Sequence, residues 1–193
     1  MIRAIAGLLL LVGSGASLAG GLDLSLSNET ANLAIQLNPG SRYVPQAGSG
    51  TDFTIGAFIN ETGDNLVFGT MMARGVRQSA TTQYKLGAGI KLVAGDLDIS
   101  ESVGALALGF QSSILMASSF YNPVDFVIEA FYAPSISSFQ DAESYTELAA
   151  RIQVEVIPRA RAFVGYRRIH FDTNDFSDLT LDRSVHVGLS ISF

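Results

Sequence analysis

The chain has 193 residues, 48% of them apolar and only 16% charged, with a formal net charge of −6, two histidines and no cysteine. One domain is expected at this length, and the acidic balance argues against a nucleic-acid partner. Without cysteine there is neither a disulfide framework nor a thiolate metal site, and two separated histidines give no reason to expect a metal or another cofactor. Past the N-terminus no apolar run is long enough to cross a bilayer as a helix. The nearest, residues 103–120, is interrupted by Gly104, Gly109, Gln111 and four serines. An apolar surplus without a spanning helix is the composition of a transmembrane β-barrel, in which every second residue faces lipid.

In chain order, Met1-Ile2-Arg3 is a short basic start, residues 4–12 are apolar, and Ala16-Ser17-Leu18-Ala19 has the small residues of a cleavage site. This pattern predicts a secretory signal peptide over residues 1–19 and a barrel over residues 20–193. Leu22, Leu24 and Leu26 then alternate with polar residues, and the apolar parity shifts by one before Leu33, Ile35 and Leu37, which calls for a tight hairpin at Asn28-Glu29-Thr30. Residues 38–50, rich in Gly and Pro, read as a loop. Further period-two runs follow at residues 53–59, 66–73, 84–92, 105–111, 126–132, 148–156 and 162–166, separated by turns that include the tight reversal Ile157-Pro158-Arg159. No helix longer than a turn or two is predicted.

The last run is the clearest. Val185, Val187, Leu189, Ile191 and Phe193 share one face, and Ser184, His186, Gly188, Ser190 and Ser192 share the other. A C-terminus normally frays into water, so an apolar face carried to the final residue is unusual for a soluble domain. The strand is similar to the terminal strand of bacterial outer-membrane β-barrels. That resemblance implies that the insertion machinery reads Val185, Val187, Leu189, Ile191 and Phe193. The fold expected is all-β, an antiparallel up-and-down transmembrane barrel of about ten strands, or eight if residues 22–37 lie outside the wall.

Placing both termini on the periplasmic side assigns every turn to a rim. The external turns then hold Glu29, Glu61, Asp64, Asp96, Asp98, Glu101, Asp141, Glu143, Asp172, Asp175, Asp178 and Asp182 and no basic residue. The periplasmic turns hold Arg42, Arg74, Arg77 and Arg159 and no acidic residue. A parity rule blind to charge has sorted the charges. A Lys or Arg facing lipid at mid-bilayer costs roughly 2–4 kcal/mol, falling to about 0–1 kcal/mol near the interfaces. Strand alternation therefore turns Lys85, Lys91, Arg151, Arg161 and Arg167 into the lumen with Asp125, Glu129, Glu147, Glu155 and His186. These are expected to pair across strands into a packed polar core. Arg168 and His170 take the lipid-facing parity, late in an ascending strand where the external interface tolerates them.

Phe131-Tyr132-Ala133-Pro134-Ser135, Phe139, Asp141-Ala142, Tyr145, Ile157-Pro158, Gly165-Tyr166-Arg167-Arg168 and the terminal Phe193 together resemble the YfaZ family of predicted outer-membrane proteins, most clearly from Val103 onward. Export of an all-β, cysteine-free chain points to the envelope of a Gram-negative cell, and the resemblance implies a β-barrel in the outer membrane while bringing with it no reaction, ligand or functional residue. The first expectation is a non-enzymatic barrel with a structural or surface-binding role, in contact with outer-membrane lipid and lipopolysaccharide, whose acidic external turns could share divalent cations with lipid phosphates. A narrow channel through the charged lumen is the alternative. A lipid-modifying hydrolase using His186 beside Ser184 and Ser190 is a weaker one, because no nucleophile motif accompanies them.

Overall fold

The structure, a computed structural model, describes residues 20–37, 50–98, 101–118, 121–174 and 179–193. The predicted signal peptide, Arg42, Asp175 and Asp178 lie outside the described residues. The elements are β1 (Gly20–Leu26), β2 (Thr30–Leu37), β3 (Gly50–Asn60), β4 (Asn65–Gln78), β5 (Thr82–Asp96), β6 (Ser102–Ser118), β7 (Tyr121–Ala133), β8 (Ser138–Gln140), β9 (Ala142–Ile157), β10 (Ala160–Thr173) and β11 (Leu179–Ser192). A 3-10 turn, Ser135–Ser137, precedes β8.

The strands pair antiparallel in the order β5-β4-β3-β2-β1-β11-β10-β9-β7-β6, and a β5–β6 ladder from Thr82↔Met116 to Asp96↔Ser102 closes the circle. This is a closed up-and-down barrel with ten strands in its wall. The short β8 pairs only with β6, at Val103↔Gln140 to Ala105↔Ser138, and extends the loop end. β1 and β2 are joined by the expected tight hairpin and stand between β11 and β3, which excludes the eight-strand alternative. Where the chain closes on itself, Gly20 and Phe193 exchange both backbone hydrogen bonds at 2.9 Å. Closure of this kind leaves no unpaired edge, the condition for strands to stand in lipid.

Several strands run further than the sequence suggests. β4 continues through Arg74 and Arg77, β9 begins at Ala142, well ahead of the predicted run at 148–156, and β10 runs past the predicted 162–166 to Thr173 while β11 already begins at Leu179. Polar residues at those positions are compatible with strand because one face of each strand points away from lipid. The outward face is apolar through the middle of the wall: Leu86, Leu108, Ile128, Ile152, Val164, Val185 and Val187 are all exposed. Burying such a face in water-free hydrocarbon is what drives insertion.

Candidate functional site

Among the described residues the buried charged side chains gather inside the wall, which makes the lumen the candidate site. It is divided along its axis. At the loop end one continuous apolar cluster fills it, built from Phe58, Leu66, Val93, Leu97, Val103, Ala105, Ala107, Phe131, Ala133, Ala142, Tyr145, Ile169, Phe171 and Leu181, with Met72 extending it down β4. Val103, Ala105, Ala107, Ala133 and Phe171 are 0% exposed, although they sit just under the turns. The Tyr145 and Phe171 rings meet at 4.7 Å with a tilt of 49°. Eight of the ten wall strands contribute, all but β1 and β2.

Below this cluster the lumen is ionic. At the boundary Glu147 accepts from both Lys91 and the Tyr145 hydroxyl. Arg167 Nε donates to Asp182 Oδ2 at 2.6 Å and its Nη2 reaches Thr30 Oγ1 at 3.4 Å. Further down, Arg151 Nη1 donates to Asp23 Oδ2 at 2.8 Å, and Gln111 donates to Glu129. Toward the termini, Asp125 Oδ2 accepts from Gln153 Nε2 at 2.8 Å and Arg161 Nη1 at 3.1 Å, and Arg74 forms an ion pair with Asp52 at 2.7 Å. Lys85 is buried in the same region, and the half-buried Glu155 stands opposite Arg161 in the β9–β10 register. His186 is buried with its ring edge-on to Phe163 at 5.9 Å.

Each lumen residue expected from the sequence is thus on the inward side of its strand, but three of its partners come from elsewhere. Asp23, Asp52 and Asp182 supply the carboxylates for Arg151, Arg74 and Arg167. Arg77, Asp96, Glu143 and Asp172, expected in turns, lie on strands, and two further positions expected in turns face the lumen. Arg74 is not a periplasmic turn residue but an inward one on β4, and Asp182 is not in the external loop but buried on β11 beneath it. A register shift between Ile169 and His170 on β10 bulges β11 there, which lets Leu181 and the adjacent Asp182 both be buried.

A second device inside the lumen was not anticipated. Gly56↔Phe68, Gly109↔Phe131 and Gly188↔Phe163 are register partners on neighbouring strands. A Cβ on any of these glycines would come within 2.3 Å of the partner ring. The ring therefore lies flat across its glycine, the aromatic cover that lets a wall curve tightly at that point. The same rings shelve cations: Lys91 Nζ is 4.3 Å from the Phe68 centroid and 5.2 Å from that of Phe131, and Arg151 is 5.1 Å from that of Phe163. Arg167 uses Phe58 in the same way at 5.0 Å. A ring face and a carboxylate on each cation offset much of the cost of taking it out of water. The signal in the sequence is a Gly on one strand and a Phe on the next, which becomes readable only when register is known.

Between the ion pairs a cavity of about 120 Å³ remains, lined among others by Asp23, Asn32, Thr70, Glu129, Arg151 and His186. Its polar lining and size suit a few ordered waters. Ser184 Oγ donates to Asp182 Oδ1 at 2.6 Å, and the His186 Nε2 atom lies 2.7 Å from where a Cβ on Gly165 would stand, so the ring is packed against that backbone.

Several of the external carboxylates fasten turns. Asp64 accepts from Asn60 Nδ2 at 2.7 Å, Thr62 Oγ1 at 3.0 Å and the Asp98 amide at 2.9 Å. Asp96 accepts from the Ser102 hydroxyl at 2.9 Å, Asp141 from the Ser102 amide at 3.0 Å, and Asp172 from the Ser144 hydroxyl at 2.7 Å. Among the described residues no group of three or more acidic or histidine side chains is disposed to hold a metal ion.

A family model described as "YfaZ precursor" matches residues 2–193. No curated protein matches the chain. Among solved structures the chain is similar to one described as "Bacterial polysaccharide outer membrane secretin", at 10% identity and a TM-score of 0.45, over 85% of this chain and 55% of that one. It is also similar to "NanC porin structure in rhombohedral crystal form", at 12% identity and a TM-score of 0.44, over 92% of this chain and all of that one.

Proposed function

The chain belongs to the YfaZ family, and on that premise we propose that it is a closed, non-conducting barrel of the Gram-negative outer membrane whose role is structural or surface-binding rather than catalytic. The observation that carries this reading is the apolar cluster at the loop end, whose members from eight strands are all buried beneath the turns. A water path through the lumen would have to cross it, and apolar side chains packed at interior density leave no room for one. Below it, buried cations bound to carboxylates and ring faces are already neutralised, so they offer little field to a passing ion. In this reading the contacts of the protein lie outside the wall: lipid around the band, lipopolysaccharide and other surface partners at the acidic rim. During biogenesis the insertion machinery meets the outward face of Val185, Val187, Leu189, Ile191 and Phe193, all exposed.

The test is conductance of the folded protein in a planar bilayer. The wild type should insert, shown by a shift in gel migration on boiling, and remain silent. Truncating the cluster with Phe58→Ala and Phe171→Ala together should admit water and produce discrete steps that a further Arg151→Ala change alters. Steps from the wild type would replace this reading with the narrow channel, for which the 120 Å³ cavity around Arg151 and Glu129 would be the constriction.

A further inference from the structure

Two arginines stand on the outside of the wall. Arg168 on β10 and Arg183 on β11 are register partners, so they stand side by side on the same face, and both are exposed. Their strand neighbours below on that face, Tyr166 and Val185, are exposed apolar residues at the top of the lipid-facing band. The pair is therefore the first polar step above the hydrocarbon on these two strands. On the far side of Arg168, its β9 partner is the exposed Leu148. Among the described residues neither guanidinium has an ion pair or a side-chain hydrogen bond, while Arg74, Arg151, Arg161 and Arg167 inside the wall each have a carboxylate.

Like charges directly opposite each other on a sheet destabilise it, and a sheet relieves this with a counter-charge. Among the described residues no carboxylate pairs with either guanidinium, in contrast to the arginines inside. Two guanidiniums on register partners have Cβ atoms about 4.5–5.5 Å apart, within the span over which a single phosphate can accept from both. Planar, permanently charged and weakly hydrated, guanidinium is suited to phosphate at a membrane interface. The external rim assigned by the topology puts this level with the headgroups of the outer leaflet. We infer that Arg168 and Arg183 form a binding site for a phosphate of an anionic outer-leaflet lipid, of the lipopolysaccharide class, whose acyl chains lie along Tyr166, Val185 and Leu148. His170, two residues above Arg168 and 3.3 Å from Asp172, borders the site without completing it.

This site rests on the membrane placement and orientation proposed above. Native mass spectrometry of the folded protein in detergent, titrated with lipid A, tests it. Lipid A should bind the wild type about tenfold or more tightly than it binds the Arg168→Gln, Arg183→Gln double variant, a difference of 1.4 kcal/mol per decade. Arg77→Gln, an exposed charge at the opposite rim, should leave binding unchanged. Wild-type protein should bind dephosphorylated lipid A as weakly as the double variant binds the intact lipid, a comparison that needs no substitution. Inorganic phosphate at millimolar concentration should not displace the lipid. Equal binding by wild type and double variant, or indifference to dephosphorylation, overturns the site; displacement by inorganic phosphate overturns the lipid and leaves a soluble anion. A chain that forms no heat-modifiable barrel overturns the membrane placement together with the site, whereas an inserted barrel with unaltered binding overturns the site alone.

Discussion

The two ends of the lumen fill the same bore with opposite chemistry. At the loop end the filling is apolar, contributed by Phe58, Leu66, Val93, Val103 and Phe171 among others. Toward the termini it is ionic, with Lys91, Arg151, Arg161 and Arg74 each held by a carboxylate. An apolar layer tolerates loss piecemeal, because each side chain contributes its own area and packing. An ionic layer does not, since removing one partner strands the other charge in a poorly solvated place. The same barrel should therefore fail gradually at one end and abruptly at the other.

The largest effect expected is at the boundary. Glu147 accepts from Lys91 and Tyr145 at once, so Glu147→Ala should cost about 3–5 kcal/mol by leaving a buried ammonium unpaired. Adding Lys91→Met to Glu147→Leu removes both charges and should recover most of that loss. Urea unfolding in lipid vesicles, followed by gel migration, measures both. A double variant as unstable as the single one would erase the contrast between the two ends.

At the loop end Leu66→Ala should cost roughly 2–5 kcal/mol, from lost burial plus the cavity left behind, since Leu66 is only 3% exposed. No second substitution of the kind that rescues Glu147 exists here. Truncating Leu181 as well should add to the loss, and an improvement would show that this end too is held by a single coupled arrangement.

Gly188→Ala probes the seam between the layers and the wall. Its Cβ would stand 2.2 Å from the Leu24 carbonyl oxygen and 2.3 Å from the Phe163 ring. Overpacking of this sort costs about 1–3 kcal/mol. Trimming the ring with Phe163→Leu should restore little, because the clash with the β1 backbone remains. Full rescue would assign the constraint to the ring alone.

How much of this could be read from the chain follows from what period two encodes. It separates lipid side from lumen side, and it put Lys85, Lys91, Arg151, Arg161 and Arg167 inward without knowledge of their neighbours. It is silent about what fills the lumen where inward residues are themselves apolar. Val93 and Val103 sit among outward Leu92 and Leu106, so the alternation fades there and the apolar cluster goes unseen. Turn-forming residues mark strand ends only when exposed, and Asp182 looked like a turn residue while serving as a buried counter-ion. Register decides the rest. The Gly–Phe pairs and the facing Arg168 and Arg183 are separated in sequence and meet only through the ladder.

The smallest effect lies outside both layers, at the terminal rim, and has the opposite sign. Pro158 and Arg159 form the two-residue turn between β9 and β10, and Arg159 has φ 71°, a left-handed backbone that an L side chain adopts at a cost of roughly 1–2 kcal/mol. Pro at the second position and positive φ at the third are the marks of a type II turn, where glycine is the favoured third residue. Glycine loses about 0.5–1 kcal/mol of unfolded-chain freedom, so Arg159→Gly should gain a net of about 0.5–1 kcal/mol. The Arg159 carbonyl that accepts the Ser192 amide at 2.8 Å is kept in the variant. Arg159→Asn, which also tolerates the left-handed region, should fall between the two. A loss in both variants would mean that the exposed guanidinium itself holds this rim, and the terminal end would then depend on charge outside the lumen as well as within it.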